Sequence, residues 1–119
     1  FNEHRQLLIE ANATDYRAQT RQWLLSDWQP DGFICGTEIA AMGVLAGLHD
    51  SGRVVGTDCD LVTLETSPLP EYFRTPVSGF YQDLHKVGRQ LVGLLLDHID
   101  QRKPVSELQI IEKADFIER

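Results

Sequence analysis

Short apolar runs alternate with longer segments of helical periodicity along this chain. Four such runs predict strands, at residues 5–11, 33–35, 60–64 and 109–111. Three stretches of helical spacing lie between them, at residues 14–27, 38–50 and 79–100. Strands that alternate with helices pair in parallel through right-handed crossovers. The pattern therefore predicts an α/β fold with an open, mainly parallel sheet flanked by helices on both faces.

The second and third helices carry apolar residues at spacings that predict a buried stripe. In the second helix these residues are Ile39, Met42, Leu45, Ala46 and Leu48. In the third helix they are Leu84, Val87, Leu91, Leu94, Leu95 and Ile99. Gly88 and Gly93 also lie in the third helix, where each costs about 1 kcal/mol relative to alanine. That cost predicts that both glycines allow close packing against another element.

Local signals mark several ends of these elements. Thr14 is suited to cap the first helix, and Gly52 is suited to end the second. The strand at residues 33–35 is wholly apolar, which is typical of a strand buried on both faces of a parallel sheet.

Polar or aromatic residues follow three of the predicted strands directly. They lie at residues 12–16, 36–38 and 65–67. In open α/β sheets, ligands bind beyond the carboxyl ends of the strands. These three segments are therefore the predicted ligand site.

Three side chains in these segments carry candidate chemistry. Glu38 has three open roles: a favourable charge at a helix N-terminus, a hydrogen bond to a ligand, or acid–base catalysis together with Glu65. Glu65 is predicted to accept hydrogen bonds from a ligand, as charged acceptors do strongly. Tyr16 either stacks on the apolar face of a sugar or begins the core face of its helix, and both roles stay open.

Composition and charge narrow the possible partners. The net charge is −7 and the pI is about 4.9, so any contact with DNA phosphates is expected from sequence outside these residues. Cys35 and Cys59 lie in apolar runs and are predicted to be small buried hydrophobes, which suits a reducing cytoplasm. No apolar run approaches the roughly 20 residues needed to cross a bilayer.

Signatures of catalysis, of cofactors and of metal sites are missing from the sequence. It contains no G-x-G-x-x-G, P-loop, H-E-x-x-H or G-x-S-x-G motif, and its four histidines are scattered. We therefore expect no cofactor, no metal and no catalytic residue. An enzyme that uses Glu38 and Glu65 is the alternative, but no nucleophile–base pair accompanies them.

The order of several motifs resembles the LacI/GalR family of transcription regulators. Residues 30–45 carry P-D-G-F-I-C, T-E and A-M-G-V-L, similar to a family strand that ends in Asn-Asp and enters an A-x-G helix. Residues 52–62, G-R-V-V-G-T-D-C-D-L-V, are similar to the family turn and strand V-P-x-D-V-x-V-V. Residues 76–88 and 116–119 are similar to P-x-L-T-T-V-x-Q-D with its helix glycine and to the closing R-x-S.

The resemblance covers residues 7–119 and implies a periplasmic-binding-protein-like core of two lobes behind a helix-turn-helix domain. Residues 1–119 would then be part of the effector-binding domain, mostly its C-terminal lobe. The sheet would be incomplete, because its first strand would precede Phe1. The implied protein is a cytoplasmic homodimer that binds a small-molecule effector, a sugar, and reads operator DNA through its N-terminal domain. The alternative is a periplasmic sugar-binding protein of a transporter, which shares the fold.

The resemblance also implies roles for particular ligand-site residues. Tyr16 matches the ring that stacks on the effector, and Thr37 and Glu65 match hydrogen-bonding Asn and Asp positions. Gln82 falls near the junction of the lobes, where further ligand contacts arise. Thr37-Glu38 stands where the family has Asn-Asp, so the identity of the sugar is not implied.

Two further residues match positions that pack across the family's dimer. They are Met42, on the second predicted helix, and Phe73, in the proline-punctuated loop at residues 66–76.

Overall fold

The computed structural model describes residues 13–27, 29–100 and 102–119. The helices are α1 (Ala13–Leu25), α2 (Glu38–Asp50) and α3 (Leu84–Ile99). The strands are β1 (Gly32–Cys35), β2 (Asp60–Glu65), β3 (Ser78–Tyr81) and β4 (Asp115–Ile117). Short 3-10 helices lie at Leu69–Tyr72 and Val105–Glu107. The strand predicted at residues 5–11 lies outside the described residues.

The described strands form one sheet in the order β1-β2-β3-β4. The first three are parallel, with Cys35 opposite Thr63 and Glu65 opposite Tyr81. β4 runs antiparallel to β3 at the edge, with Phe116 opposite Phe80. This arrangement confirms the predicted open, mainly parallel α/β sheet.

The core lies between one face of this sheet and the pair α1 and α2. Alternate residues of β1 and β2, among them Phe33, Cys35 and Leu61, point into it. The Trp23 ring of α1 stacks on Phe33 with centroids 6.4 Å apart. On the other face Ile34 is 88% exposed, so the prediction that both faces of β1 are buried is wrong for the part of the chain that the structure describes.

Helix α2 has the predicted bounds, but a different face is buried. Ile39 and Met42 are exposed, contrary to prediction, whereas Leu48 is buried as expected. The buried residues of α2 are Glu38, Ala40, Ala41, Gly43, Val44, Gly47 and Leu48. Small residues dominate this set because α2 lies closely between the sheet and α1, where larger side chains would not fit. The end of α2 agrees with prediction: Ser51 is the C-cap and Gly52 follows with φ +69°.

Gly47 is the point of closest approach between α1 and α2. A Cβ built on it would lie 2.6 Å from Cβ of Thr20 and 2.8 Å from the carbonyl oxygen of Arg17. Thr20 is fully buried and its hydroxyl donates to the carbonyl of Tyr16 at 2.8 Å. Thr14 lies inside α1, one residue past its start, so it does not cap the helix as predicted.

The third predicted helix begins later than expected. Residues 78–81 form β3 instead, and α3 begins at Leu84 with Asp83 as its N-cap, which accepts from the Lys86 amide at 3.0 Å. Residues 78–81 are a strand because they pair with β2, and a local pattern of helical spacing does not indicate this pairing. The strand predicted at residues 109–111 is also wrong, since the last strand is β4.

Helix α3 packs little against the rest of the described chain. It has no buried residue, and Leu91, Leu95 and Ile99 of its apolar stripe are more than half exposed. A Cβ on Gly88 or Gly93 would meet nothing within 4 Å. The predicted close packing at these two glycines is therefore wrong for the described residues.

We expect Gly47→Ala to lower the free energy of unfolding by about 1–3 kcal/mol, because the added methyl overpacks the contact between α1 and α2. Gly88→Ala is the matched control in open space, and we expect it to raise the same quantity by up to about 1 kcal/mol. Urea unfolding of the two variants and the parent measures both effects. Equal changes in the two variants would contradict this packing.

Candidate functional site

The carboxyl ends of the three parallel strands meet at one edge of the sheet. Thr37 and Glu38 follow β1, Glu65 closes β2, and Gln82 follows β3. The backbone N–H of Gln82 donates to the carbonyl of Glu65 at 2.8 Å, which joins the ends of β2 and β3. The structure thus places four of the five residues predicted to bind ligand along one edge.

Thr37 and Glu38 organise the start of α2. The Thr37 hydroxyl accepts from the Ala40 amide at 3.1 Å and caps the helix. Glu38 lies in the first turn, where a negative charge interacts favourably with the helix dipole.

The Glu38 carboxylate also holds the loop that follows β2. Its Oε1 accepts from the amides of Thr66 at 2.6 Å and Ser67 at 3.0 Å. The hydroxyls of the same two residues lie at 3.2 and 3.1 Å from this oxygen. One buried carboxylate therefore connects the end of β1 to the end of β2.

Two opposing effects set the protonation of Glu38. Burial acts to raise the pKa of its carboxyl, because a low-dielectric environment disfavours the charge. The hydrogen bonds from Thr66 and Ser67 lower the pKa, and the net result is a pKa below the ordinary value. Glu38 is thus held as a carboxylate.

Glu65 is engaged by a residue that the sequence did not single out as a site residue. Its side chain is only 1% exposed, and Arg119 binds both oxygens: Nη1 lies 2.5 Å from Oε1 and Nη2 lies 3.0 Å from Oε2. Arg119 Nη1 also donates to the carbonyl of Val77 at 2.9 Å. The hydrogen bond to Glu65 raises the pKa of Arg119, while burial opposes it. The available signal was the arginine within residues 116–119, a cation of the kind that a buried carboxylate needs as a partner.

Gly79 provides the space for this ion pair. A Cβ built on Gly79 would lie 1.9 Å from Oε1 of Glu65. The Glu65 side chain therefore lies flat against the backbone of β3, and position 79 has to be glycine while it does so.

The other residues predicted to have roles lie elsewhere. Tyr16 is half-buried on α1 and packs against the core. Met42 is 42% exposed on α2, and Phe73 is half-buried against the core. Each of these positions leaves the predicted role of its residue untested.

Cys35 and Cys59 are free and buried, as predicted. Burial raises the pKa of the Cys35 thiol to about 11, so this thiol stays protonated at neutral pH.

Metal-binding clusters and membrane-spanning helices are both missing from the described ranges, 13–27, 29–100 and 102–119. These ranges hold no group of three or more His, Cys, Asp or Glu side chains arranged to bind a metal ion. Their helices include none that is long and apolar enough to span a membrane.

A hollow of about 480 Å³ opens near the beginning of β2 and the end of β4. Its lining includes Asp60, Thr75, Phe116 and Arg119. Arg119 thus lines this hollow with part of its surface while its guanidinium reaches Glu65.

Comparison with known proteins gives consistent matches. Residues 2–119 match the family described as periplasmic binding protein-like domain. The chain is 26% identical over 87 residues to the HTH-type transcriptional regulator GanR of Bacillus subtilis, which is 72% of this chain and 26% of GanR. The chain thus spans about a quarter of the length of this curated relative.

Two solved structures share the fold over most of the chain. A LacI family transcriptional regulator from Arthrobacter, in complex with lactose, superposes with a TM-score of 0.81 and 29% identity, covering 92% of this chain and 42% of that one. A LacI family regulatory protein from Chloroflexus aggregans gives a TM-score of 0.86 at 25% identity, covering 100% and 43%.

The Glu38 network predicts a specific loss of stability in acid. The pKa of Glu38 is lower in the folded state than its ordinary value of 4.5, so its contribution is complete above that pH and is lost as the pH falls through the folded pKa. We expect Glu38→Gln to lower the free energy of unfolding at pH 7 by about 1–3 kcal/mol and to flatten its decline below the ordinary pKa. Urea unfolding at pH values from about 3 to about 7 measures the free energy of unfolding as a function of pH. Glu107→Gln, at an exposed position, is the control. If the free energy of unfolding of Glu38→Gln declined as steeply with falling pH as that of the parent, the role of the network would be refuted.

Proposed function

Because the chain belongs to the family of periplasmic binding protein-like domains, and its relatives are LacI-type regulators, we propose that it is an effector-sensing portion of a LacI-type transcription regulator. The observation that carries this proposal is the family match over residues 2–119, combined with polar groups at the carboxyl edge of a parallel sheet. The effector is a small polar molecule, and its binding changes how the whole protein holds operator DNA.

The proposed ligand is a sugar, and its contacts come from the sheet edge. The residues at that edge, Thr37, Glu38, Glu65 and Gln82, have hydroxyl, carboxylate and amide side chains, and carboxylates are strong acceptors for sugar hydroxyls. Tyr16 supplies an aromatic face for stacking. The lactose bound to the Arthrobacter regulator supports this class of ligand.

The proposed role is binding rather than catalysis. Glu38 and Glu65 both act as hydrogen-bond acceptors within the chain, toward the loop after β2 and toward Arg119, and acceptor is also the role proposed for them toward a ligand. General acid–base work needs a carboxyl that faces the substrate with a matched pKa, whereas the pKa of Glu38 is lowered. The regulators among the relatives favour this function over that of a transporter's binding protein.

The proposed protein acts as a cytoplasmic homodimer. The net charge of −7 disfavours contact between these residues and DNA, so operator binding is assigned to a helix-turn-helix outside this sequence. Met42 and Ile39 place two apolar side chains on the exposed face of α2, which supports a partner surface there. Phe73 is the second proposed dimer contact.

The ligand site is tested most cleanly at Gln82, whose backbone hydrogen bond survives truncation of the side chain. We expect lactose to bind the protein that contains this chain, and Gln82→Ala to weaken that binding roughly tenfold, equivalent to about 1.4 kcal/mol. Isothermal titration calorimetry with lactose, galactose and ribose measures the affinities. Gln22→Ala, on the exposed surface of α1, is the control. Failure of all three sugars to bind the parent protein would overturn the proposal.

The dimer is tested by placing a charge on the exposed face of α2. We expect Met42→Glu to weaken self-association at least about tenfold, because a charge buried in an apolar interface loses its hydration. Sedimentation equilibrium measures the dissociation constant. Leu25→Glu introduces the same charge at an exposed apolar position of α1 and serves as the control. Dimers of equal strength in the two variants would place the interface elsewhere.

A further inference from the structure

A residue predicted to bind the ligand, Glu65, carries a buried carboxylate that is already paired. Both oxygens of Glu65 are occupied by the guanidinium of Arg119, in the two-pronged geometry that makes arginine–carboxylate pairs strong. The sheet edge alone does not explain this pairing, since Arg119 follows β4, the strand at the far side of β3.

Access to Glu65 is closed while this pair exists. The Glu65 side chain is 1% exposed, and that of Arg119 is 16% exposed. Beneath the carboxylate lies the backbone at Gly79, with no space for even one further carbon atom. A ligand can therefore reach the Glu65 oxygens only after Arg119 has moved away.

Arg119 is also a main attachment of β4. This edge strand is three residues long and pairs only with β3 in the described sheet. Besides that pairing, the Arg119 amide donates to the Ser78 hydroxyl at 3.1 Å, and the Phe116 ring lies 5.1 Å from the Phe80 ring on an exposed face. Losing the bond to Glu65 removes the ion pair from this attachment and leaves the bond to the Val77 carbonyl as its buried contact.

We propose that Arg119 is an internal competitor of the effector: the guanidinium and a neutral ligand bearing hydroxyl groups compete for the Glu65 oxygens, and a ligand that displaces Arg119 loosens β4. This inference rests on the proposed function. Hydroxyl groups can donate to the Glu65 oxygens in place of the guanidinium, whereas an anionic ligand would be repelled by the carboxylate. The released arginine carries its charge into solvent.

The displacement has a route to the rest of the chain. The segment before β4 lies along α3, where Glu112 pairs with Lys86 and accepts from Gln90 at 3.0 Å. A ligand that binds the state with a loosened β4 more tightly than the state with an attached β4 shifts the protein towards the loosened state. The size of the shift is set by the difference between the two affinities. Arg119 is thus a positioning residue that connects the ligand site to α3.

Affinity measurements separate competition from a purely structural role. We expect Arg119→Gln to bind lactose about tenfold more tightly than the parent protein, because the competitor for Glu65 is gone, although the variant unfolds at a lower temperature. A purely structural arginine would leave the affinity unchanged or weaken it. Arg119→Lys keeps the positive charge but replaces the two-pronged guanidinium by a single ammonium group. We expect its affinity for lactose to lie between those of the parent and Arg119→Gln. Arg102→Gln, which removes an exposed partner of Asp100, is the matched control.

Hydrogen exchange tests the attachment of β4 without any ligand. We expect the amides of residues 115–117 to exchange at least tenfold faster in Glu65→Gln than in the parent, and to exchange faster in the parent when lactose is added. Unchanged exchange in Glu65→Gln would overturn the attachment.

The outcomes distinguish this inference from the proposed function. If lactose, galactose or ribose binds the parent and Arg119→Gln equally well, competition is overturned and the sensor function stands. If none of the three binds either protein, the sensor function is overturned, and the competition with it.

Discussion

A carboxylate buried inside a protein needs a cation or several donors, since its charge is otherwise without solvation. Glu65 meets this need through Arg119, and the pair links the end of β2 to the segment that follows β4. The Glu65 side chain lies against the backbone of β3 over Gly79, and Arg119 brings β4 to the far side of β3. One ion pair thus joins the last residue of β2 to Arg119, which lies 54 residues later and follows the antiparallel edge strand.

The second buried carboxylate solves the same problem with neutral donors. Glu38 accepts from the amides and hydroxyls of Thr66 and Ser67, and these bonds lower its pKa in spite of burial. Glu38 joins the ends of β1 and β2, and the backbone hydrogen bond from Gln82 to Glu65 joins the ends of β2 and β3. This fixed polar edge is the feature on which the proposed sensing function depends, since ligand-binding groups have to be held in position before the ligand arrives.

The described chain divides into a well-packed part and an exposed part. Helices α1 and α2 cover one sheet face with small residues in close contact around Gly47. Helix α3, in contrast, leaves its apolar stripe exposed, and the chain measures 57 × 32 × 24 Å rather than approaching a sphere. The spacing of apolar residues in α3 indicates a helix that has a partner surface, but a stripe does not specify which surface.

Local signals in the sequence located α2, whose C-terminal end Gly52 marks, and short apolar runs located β1 and β2. The ends of parallel strands then identified four edge residues without knowledge of any contact. Only the tertiary structure decided that residues 78–81 form a strand, that small residues of α2 face inward, and that Arg119 binds Glu65. Each of these three features depends on contacts between segments that are distant in sequence. A pattern along the chain indicates which conformation a segment favours, but it does not indicate which other segment it packs against.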